Sequence, residues 1–238
     1  MSETSLYPHV SVDCVVFGFD GERLQILLIT RTGESEEGRY SDMKLPGSVI
    51  YENEDLDDAA YRVLYELTGI KNVYLQQFHS FGSPDRTKNP RDVVWLENAI
   101  HMKIGRIVTI GYVALIKIGQ KLRAFDDGYE AHWCNLSETG RLAFDHNQVV
   151  EQALSYIRKQ MAEDPTGMYE LLPRKFTEAD LRSLHQLLFG ESVDIRNFHK
   201  KFISLNYIVP LEEKQQNVAH RAARYYKFDK VIYNKTHR

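Results

Sequence analysis

The feature that most constrains this chain is a change of hydrophobic period at Glu163-Asp-Pro-Thr-Gly167. Before it, apolar residues fall mainly in strand-like runs; after it the pattern becomes helix, helix, then short strands. A polar break holding Pro and Gly between two such patterns marks a domain boundary, so the 238 residues divide into 1–163 and 164–238. Charge divides at nearly the same place. Residues 171–238 hold 13 Lys and Arg against 7 Asp and Glu, whereas 1–170 hold 17 against 26. An acidic body with a basic tail is the balance of a chain that meets a polyanion. With 43% hydrophobic and 26% charged residues the composition is that of a globular protein, not a disordered one. No apolar run approaches the roughly 20 residues of a membrane span. The first residues lack the basic-then-apolar pattern of a secretory signal. Cys14 and Cys134 are far apart and form no metal-type pair. Both read as buried thiols in a reducing cytoplasm.

Within the first part, Val10 to Phe19 and Leu24 to Arg31 are β-branched and aliphatic runs joined by Asp20-Gly21, a hairpin signal. Asp55 to Leu67 reads as a helix with Leu56, Ala60, Val63 and Leu67 on one stripe, and Gly69 stops it. Val73 to Phe81 and Ile107 to Ile118 are further strands, with a short one at Ala131 to Asn135. Asn147 to Ala162 is a closing amphipathic helix. Gly82 to Arg91 reads as an irregular loop rich in Pro, Asp and Arg, of the kind that tends to carry function.

The segment Leu45-Pro-Gly-Ser-Val-Ile-Tyr-Glu-Asn-Glu-Asp-Leu-Asp-Asp-Ala-Ala-Tyr-Arg-Val-Leu-Tyr-Glu-Leu-Thr-Gly-Ile70 resembles the Nudix box. The resemblance implies an α+β fold, an α/β/α Nudix sandwich with a mixed sheet, over about residues 8–160. In that family the box binds Mg²⁺ and hydrolyses nucleoside diphosphates linked to another moiety. Mg²⁺ requires near-octahedral oxygen ligands, supplied by carboxylates and substrate phosphates, and these position the attacking water. Glu54, Arg62 and Glu66 match the box, but Val63 and Leu67 stand where two further glutamates belong. Ser48 replaces the second glycine of the loop. Four residues apart, Val63 and Leu67 share a helix face and extend its apolar stripe. The single remaining carboxylate at these positions, Glu66, does not hold a metal cluster, so the sequence implies no catalytic residues, no cofactor and no metal. Glu54 then reads as a favourable charge at a helix N-terminus, and Arg62 with Glu66 as a surface pair.

In the tail, Phe176 to Phe189 opens with Thr177 as N-cap and Asp180 three residues on. Leu181, Leu184, Leu187 and Leu188 form its stripe, and Gly190 ends it. A second helix starts at Asp194, with Ile195, Phe198, Phe202 and Leu205 on its apolar side. Its other side carries Arg196, Asn197, His199, Lys200 and Lys201. This is the layout of a helix-turn-helix whose second helix enters a major groove, where Arg and Lys suit guanine edges or phosphates and Asn suits adenine. Tyr207 to Leu211 and Ala223 to Phe228 read as a hairpin, a wing that offers Lys214, Arg221 and Arg224 to a phosphate backbone. The plain alternative is a protein-interaction module with a solvated basic face.

Together with Leu171-Leu-Pro-Arg-Lys-Phe-Thr, Asp194-Ile-Arg-Asn-Phe-His-Lys-Lys and Arg221-Ala-Ala-Arg-Tyr-Tyr-Lys-Phe, the altered box makes the chain similar to the Nudix-related transcriptional regulators, the NrtR/AraR-like group. The similarity implies a cytoplasmic, homodimeric repressor without enzyme activity. Its Nudix-like domains would pair and sense an effector, releasing double-stranded operator DNA from the winged helix. The effector is a sugar such as a pentose, or an ADP-ribose-like nucleotide. Loss of the Mg²⁺ ligands favours the sugar, which needs no counterion. Arg31, Asp85, Arg86 and Arg91 are the candidate effector-binding residues. Trp95 to Ile104 reads as an insertion against the group's pattern. The alternative function is a Nudix hydrolase of a nucleoside diphosphate derivative with an accessory C-terminal domain.

Overall fold

Successive side chains of a strand point to opposite faces, and in β1 (Leu6–Phe19) both faces are covered. Val12, Cys14 and Val16 enter one apolar core, while Val15, Phe17 and Phe19 enter another. A strand buried on both sides is apolar almost continuously, which accounts for the run beginning at Val10. The computed structural model describes residues 5–35, 38–119, 121–123, 130–216 and 222–236.

Around β1 lie β2 (Leu24–Ser35), β3 (Gly38–Lys44), β4 (Gly47–Tyr51), β5 (Gln76–Phe81), β6 (Val108–Lys117) and β7 (Ala131–Asn135). They form one sheet of order β3-β2-β1-β6-β5, with β4 also on β1 and β7 on β2. β1 and β6 run parallel and the other pairs antiparallel, so the sheet is mixed as expected. Helix α1 (Leu56–Thr68) covers one face through Ala59, Ala60, Val63 and Leu64. Helix α3 (His146–Glu163) covers the other through Val149, Val150, Ala153, Ile157 and Met161. The expected cap and stop of α1 are present: the Asp55 carboxylate accepts from the Asp57 N–H at 3.0 Å, and Gly69 takes φ 77°. The β1–β2 connection is longer than a two-residue turn. It spans Asp20 to Arg23, because the Asp20 carboxylate accepts from the backbone N–H groups of Glu22 and Arg23 and holds a wider loop.

One expectation fails between β5 and β6. Gly82 to Arg91 is not irregular: a 3₁₀ turn occupies Pro84–Thr87, and helix α2 starts at Pro90 and runs to Ile100. Trp95 to Ile104 is therefore the second half of α2 and its exit. Ser83-Pro84 and Asn89-Pro90 are each a cap followed by proline at the first position, which is start chemistry for a helix rather than loop chemistry. β3 and β4 escaped detection because their burial is mixed and Pro46 separates them.

The C-terminal part comprises α4 (Thr166–Leu171), α5 (Glu178–Phe189), α6 (Ile195–Ser204), β8 (Ile208–Lys214), β9 (Arg224–Phe228) and α7 (Lys230–Thr236). Thr177 and Asp180 form the expected reciprocal capping box, and Asp194 caps α6 by accepting from the Asn197 N–H at 2.8 Å. β8 pairs antiparallel with β9, and Phe176 bridges to Tyr226, completing a winged helix. Ile195 is a correction to the expected apolar stripe: it is 61% exposed, and Phe202, with half-buried Phe198 and Leu205, anchors α6. The polar break is shorter than it reads. Gly167 lies inside α4, and Met168 and Tyr169 belong to the same apolar core as β1 and α3. Tyr169 stacks on Phe228 at 4.2 Å, and the Tyr233 hydroxyl donates to Asp164 at 2.7 Å. No described helix is long and apolar enough to cross a membrane.

Phe202 is fully enclosed, with its ring edge-on to Tyr226 at 4.7 Å. Phe202→Ala should lower unfolding stability by about 3–5 kcal/mol, whereas Ile203→Ala, on a solvent-facing position, should change it by less than about 0.5 kcal/mol. Urea denaturation of both variants checks the pair.

Candidate functional site

Helix α1 places Arg62 between the two glutamates that match the box. Its Nε and Nη2 donate to Glu54 at 2.5 and 2.7 Å, and its Nη1 donates to Glu66 at 3.0 Å. The guanidinium also stacks on Tyr51, 4.0 Å from the ring centroid. Hydrogen bonding from Arg62 holds the Glu54 carboxyl below its ordinary range. Glu54 stands one residue before the Asp55 cap of α1, as the sequence suggested, and is also bound to Arg62. Val63 is fully buried and Leu67 half-buried, both packed into the core under α1. Among the described residues no three His, Cys, Asp or Glu side chains are grouped as metal ligands. At the box, Glu54 and Glu66 are both held by Arg62, and Val63 and Leu67 bring no oxygen to the site.

The concentrated polar chemistry lies instead on the α3 side of β1, under α2. Arg31 of β2 is completely buried. Its Nε and Nη2 donate to the two oxygens of Asp42, both at 2.7 Å, and Nη2 also donates to Asp92 of α2 at 2.6 Å. Tyr40, Trp95 and Phe144 surround it, their ring centroids 5.1 to 5.5 Å from the guanidinium carbon. Burial opposes the charge of Arg31, but its hydrogen bonds to Asp42 and Asp92 more than offset this and raise its pKa. Arg91 adds a second donor to Asp42 at 2.5 Å. Alongside, Arg86 donates to Asp145 at 2.9 Å and to Asp13 at 3.3 Å. Lys44 donates to the carbonyls of Leu45 and Gly47, and burial pushes its pKa down to about 8. His146 accepts from the Leu45 N–H at 3.0 Å, and burial pushes its pKa down to about 4, so the ring is neutral. Gly47 is required by this packing, since a Cβ there would sit 1.9 Å from Asp13 Oδ1.

Arg31, Lys44, Arg86 and Arg91 thus face Asp13, Asp42, Asp92 and Asp145, a formally neutral set. Two donors in it, Arg31 Nη1 and Arg86 Nε, are buried without a hydrogen-bond partner. Such a group costs about 1–3 kcal/mol, and it marks where an acceptor would be welcomed. A cavity of about 40 Å³ lies against Asp13, Lys44, Arg86, Trp95, Phe144 and His146. A wider cleft of about 1110 Å³ lies beyond α2, against Glu34, Asp42, Arg91, Asp92 and Arg141.

Of the four expected effector residues, Arg31, Arg86 and Arg91 come together. Asp85 does not: it is exposed and pairs with Lys88 at 2.6 Å. Sequence reading missed Asp13, Asp42, Lys44, Asp92, Trp95, Asp145 and His146. Asp13 alone carried a signal, as a charge inside the apolar run of β1.

On the C-terminal part, Arg196, Asn197, Lys200 and Lys201 all lie exposed on α6, and Lys214 and Arg224 lie exposed on the hairpin. His199 is held to Glu178 of α5, its Nδ1 2.7 Å from the carboxylate. A hollow of about 590 Å³ between α5, α6 and the hairpin is lined by Arg182, His199, Lys214 and Arg224. Arg221 lies outside the described residues.

The folded chain withholds a proton from His146 until about pH 4, whereas the unfolded chain binds one near 6.5. The unfolded state therefore binds more protons between those values, and this contribution to stability is full above pH 6.5 and falls as the solution is acidified. Between pH 7 and pH 5 the loss should be about 2 kcal/mol, and His146→Gln should abolish most of that slope. Denaturant titrations of both proteins at the two pH values check it.

Residues 7–153 match the family model described as the NUDIX domain, and residues 168–228 match that of the NrtR DNA-binding winged helix domain. A relative from Acinetobacter baylyi, named an ADPR responsive transcriptional repressor NtrR, is 27% identical over 225 residues, 93% of this chain and 82% of the relative. The crystal structure of Shewanella oneidensis NrtR is similar with a TM-score of 0.65 and 25% identity, over 92% of this chain and 94% of that one. The NUDIX domain of that protein, crystallised with ADP ribose, matches with a TM-score of 0.50 and 26% identity, over 66% of this chain and 93% of its own. The chain belongs to the Nudix family and carries, behind its Nudix domain, an NrtR-type DNA-binding winged helix domain.

Proposed function

We propose that this protein is a transcriptional repressor whose winged helix holds operator DNA and whose Nudix domain senses an ADP-ribose-like nucleotide without hydrolysing it. The observation that carries the reading is the outward face of α6. Arg196, Asn197, Lys200 and Lys201 are exposed there, in no ion pair among the described residues, beside the exposed Lys214 and Arg224. Glu178 and Arg182 steady the neighbouring His199. Unpaired cations on one face of a second helix suit a phosphate backbone and base edges. We place the division between the sensing and DNA-binding parts at residues 163–164, and infer a dimer formed through the Nudix domain, which matches a palindromic operator with half-sites about 10 base pairs apart or a multiple of that.

Against the lean of the sequence towards a neutral sugar, the buried arginines favour a phosphate-bearing effector. Arg31 and Arg86 each keep an unsatisfied donor, and guanidinium groups pair with phosphate in a fixed, often two-point geometry. The ADP-ribose named for the relatives has such groups. In binding titrations ADP-ribose should release the operator, while arabinose should not. Arg196→Ala, near the N-terminal end of α6, should flatten the preference for operator over scrambled DNA by about 1–3 kcal/mol. Lys200→Ala should weaken both alike and lower the salt slope by about one. If neither substitution alters DNA affinity, the tail is an interaction module instead.

The state of the box supports the reading without hydrolysis. Glu54 and Glu66 are committed to Arg62, and Val63 and Leu67 contribute only to the core. With Mg²⁺ or Mn²⁺ and ADP-ribose, turnover should stay well below about 1 s⁻¹, the low end of usual enzyme rates. Faster turnover that disappears in Glu66→Gln would restore the hydrolase reading.

A further inference from the structure

Resting on the reading of an anionic nucleotide effector, we infer that Asp92 is an internal stand-in for one of that ligand's phosphate groups, and that α2 is the lid it keeps shut. Asp92 is 2% exposed although α2 is otherwise a largely solvent-facing helix. One of its oxygens accepts from Arg31 Nη2 at 2.6 Å. The other accepts from Asn89 at 2.9 Å and from the Phe144 N–H at 3.1 Å. The fit is incomplete in a telling way. Asp42 occupies Nε and one position of Nη2, Asp92 reaches Nη2 alone, and Nη1 is left buried without an acceptor. A phosphate carries more acceptor oxygens than a carboxylate and can engage both terminal nitrogens of a guanidinium at once. It would satisfy the donor that Asp92 cannot.

Trp95, one turn further along α2, completes the closure. Its Nε1 donates to the Thr32 carbonyl at 3.1 Å, and its ring lies over both Arg31 and Lys44. It also walls the cavity of about 40 Å³, which is too small for a nucleotide. Arg31 is completely enclosed and Asp92 holds its Nη2, so a ligand phosphate on Arg31 has to displace Asp92 and lift α2. Displacement also frees the Phe144 N–H, two residues before α3. At its far end α3 meets the winged helix, where Arg158 donates to the Leu188 carbonyl of α5. The carboxylate that blocks the ligand is thus bonded to the start of the helix leading to the DNA-binding part. A ligand shifts such an equilibrium only by its differential affinity for the two states, and the exchange of Asp92 for phosphate supplies one.

The test uses the full chain, with ADP-ribose and inorganic pyrophosphate as probes. In calorimetric titration Asp92→Asn, which removes the competing charge but keeps an acceptor for Phe144, should bind ADP-ribose roughly tenfold more tightly than the wild type. Pyrophosphate should gain in the same direction. Independently of that variant's folding, hydrogen exchange of the wild type should accelerate across residues 90–100 when ADP-ribose saturates it. Equal or weaker binding by a folded Asp92→Asn, or protection of 90–100 on saturation, overturns the stand-in while leaving the effector reading intact. Failure of both probes to bind the wild type removes the effector reading itself, and the stand-in with it.

Discussion

Strand β1 has to bury both of its faces, and most of the Nudix part follows from that requirement. A helix must lie on each side, and α1 and α3 are those helices. Parallel pairing with β6 needs a long crossover, because the second strand enters at the same end as the first. That connection carries β2 to β4, α1, β5 and α2, and α2 comes to rest beside β2, where Asp92 meets Arg31. Each long strand alternates between two cores. A charge that interrupts the alternation, as Asp13 does, is therefore driven to find partners in the interior.

Those partners form a balanced set rather than a single bond. Taking an ion out of water costs several kcal/mol, and only close pairing with further hydrogen bonds offsets it. Asp42 takes bonds from both Arg31 and Arg91, while Arg86 spans Asp13 and Asp145. Removing one member leaves its partner charged and buried, so the cluster stands or falls together. This differs from the box on α1. There Glu54 and Glu66 are partly open to solvent and linked by one arginine, and the remaining box positions have merged into the apolar core.

The two parts of the chain share one of their cores. Met161 at the end of α3, Met168 and Tyr169 of α4, and Leu184 and Phe202 of the winged helix lie in the same apolar cluster as Phe17 of β1. Aromatic contacts carry much of this junction, with Tyr169 stacked on Phe228 and Tyr207 set edge-on to Tyr233. Packed interiors tolerate little continuous deformation, so under the proposed release of Asp92 a shift at the start of α3 would reach its end through this shared core.

Much of the fold was legible in sequence because its signals are local. Continuous apolar runs marked β1 and β6, Asp55 and Gly69 framed α1, and Thr177 with Asp180 announced α5. The apolar character of Val63 and Leu67 on the α1 stripe was likewise plain from spacing alone. α2 was missed: Asn89-Pro90 is start chemistry for a helix, but its charged neighbours resembled a loop. The composition of the site was not legible. Asp13, Asp42, Asp92 and Asp145 lie on four separate elements, and nothing in their spacing says that they converge on three arginines. Nor could the sequence show that Asp85 turns outward while Arg86, next to it, is buried. Periodicity and capping act over a few residues and are written into the chain. The pairing of buried charges depends on which strands adjoin, and only the tertiary structure decided that.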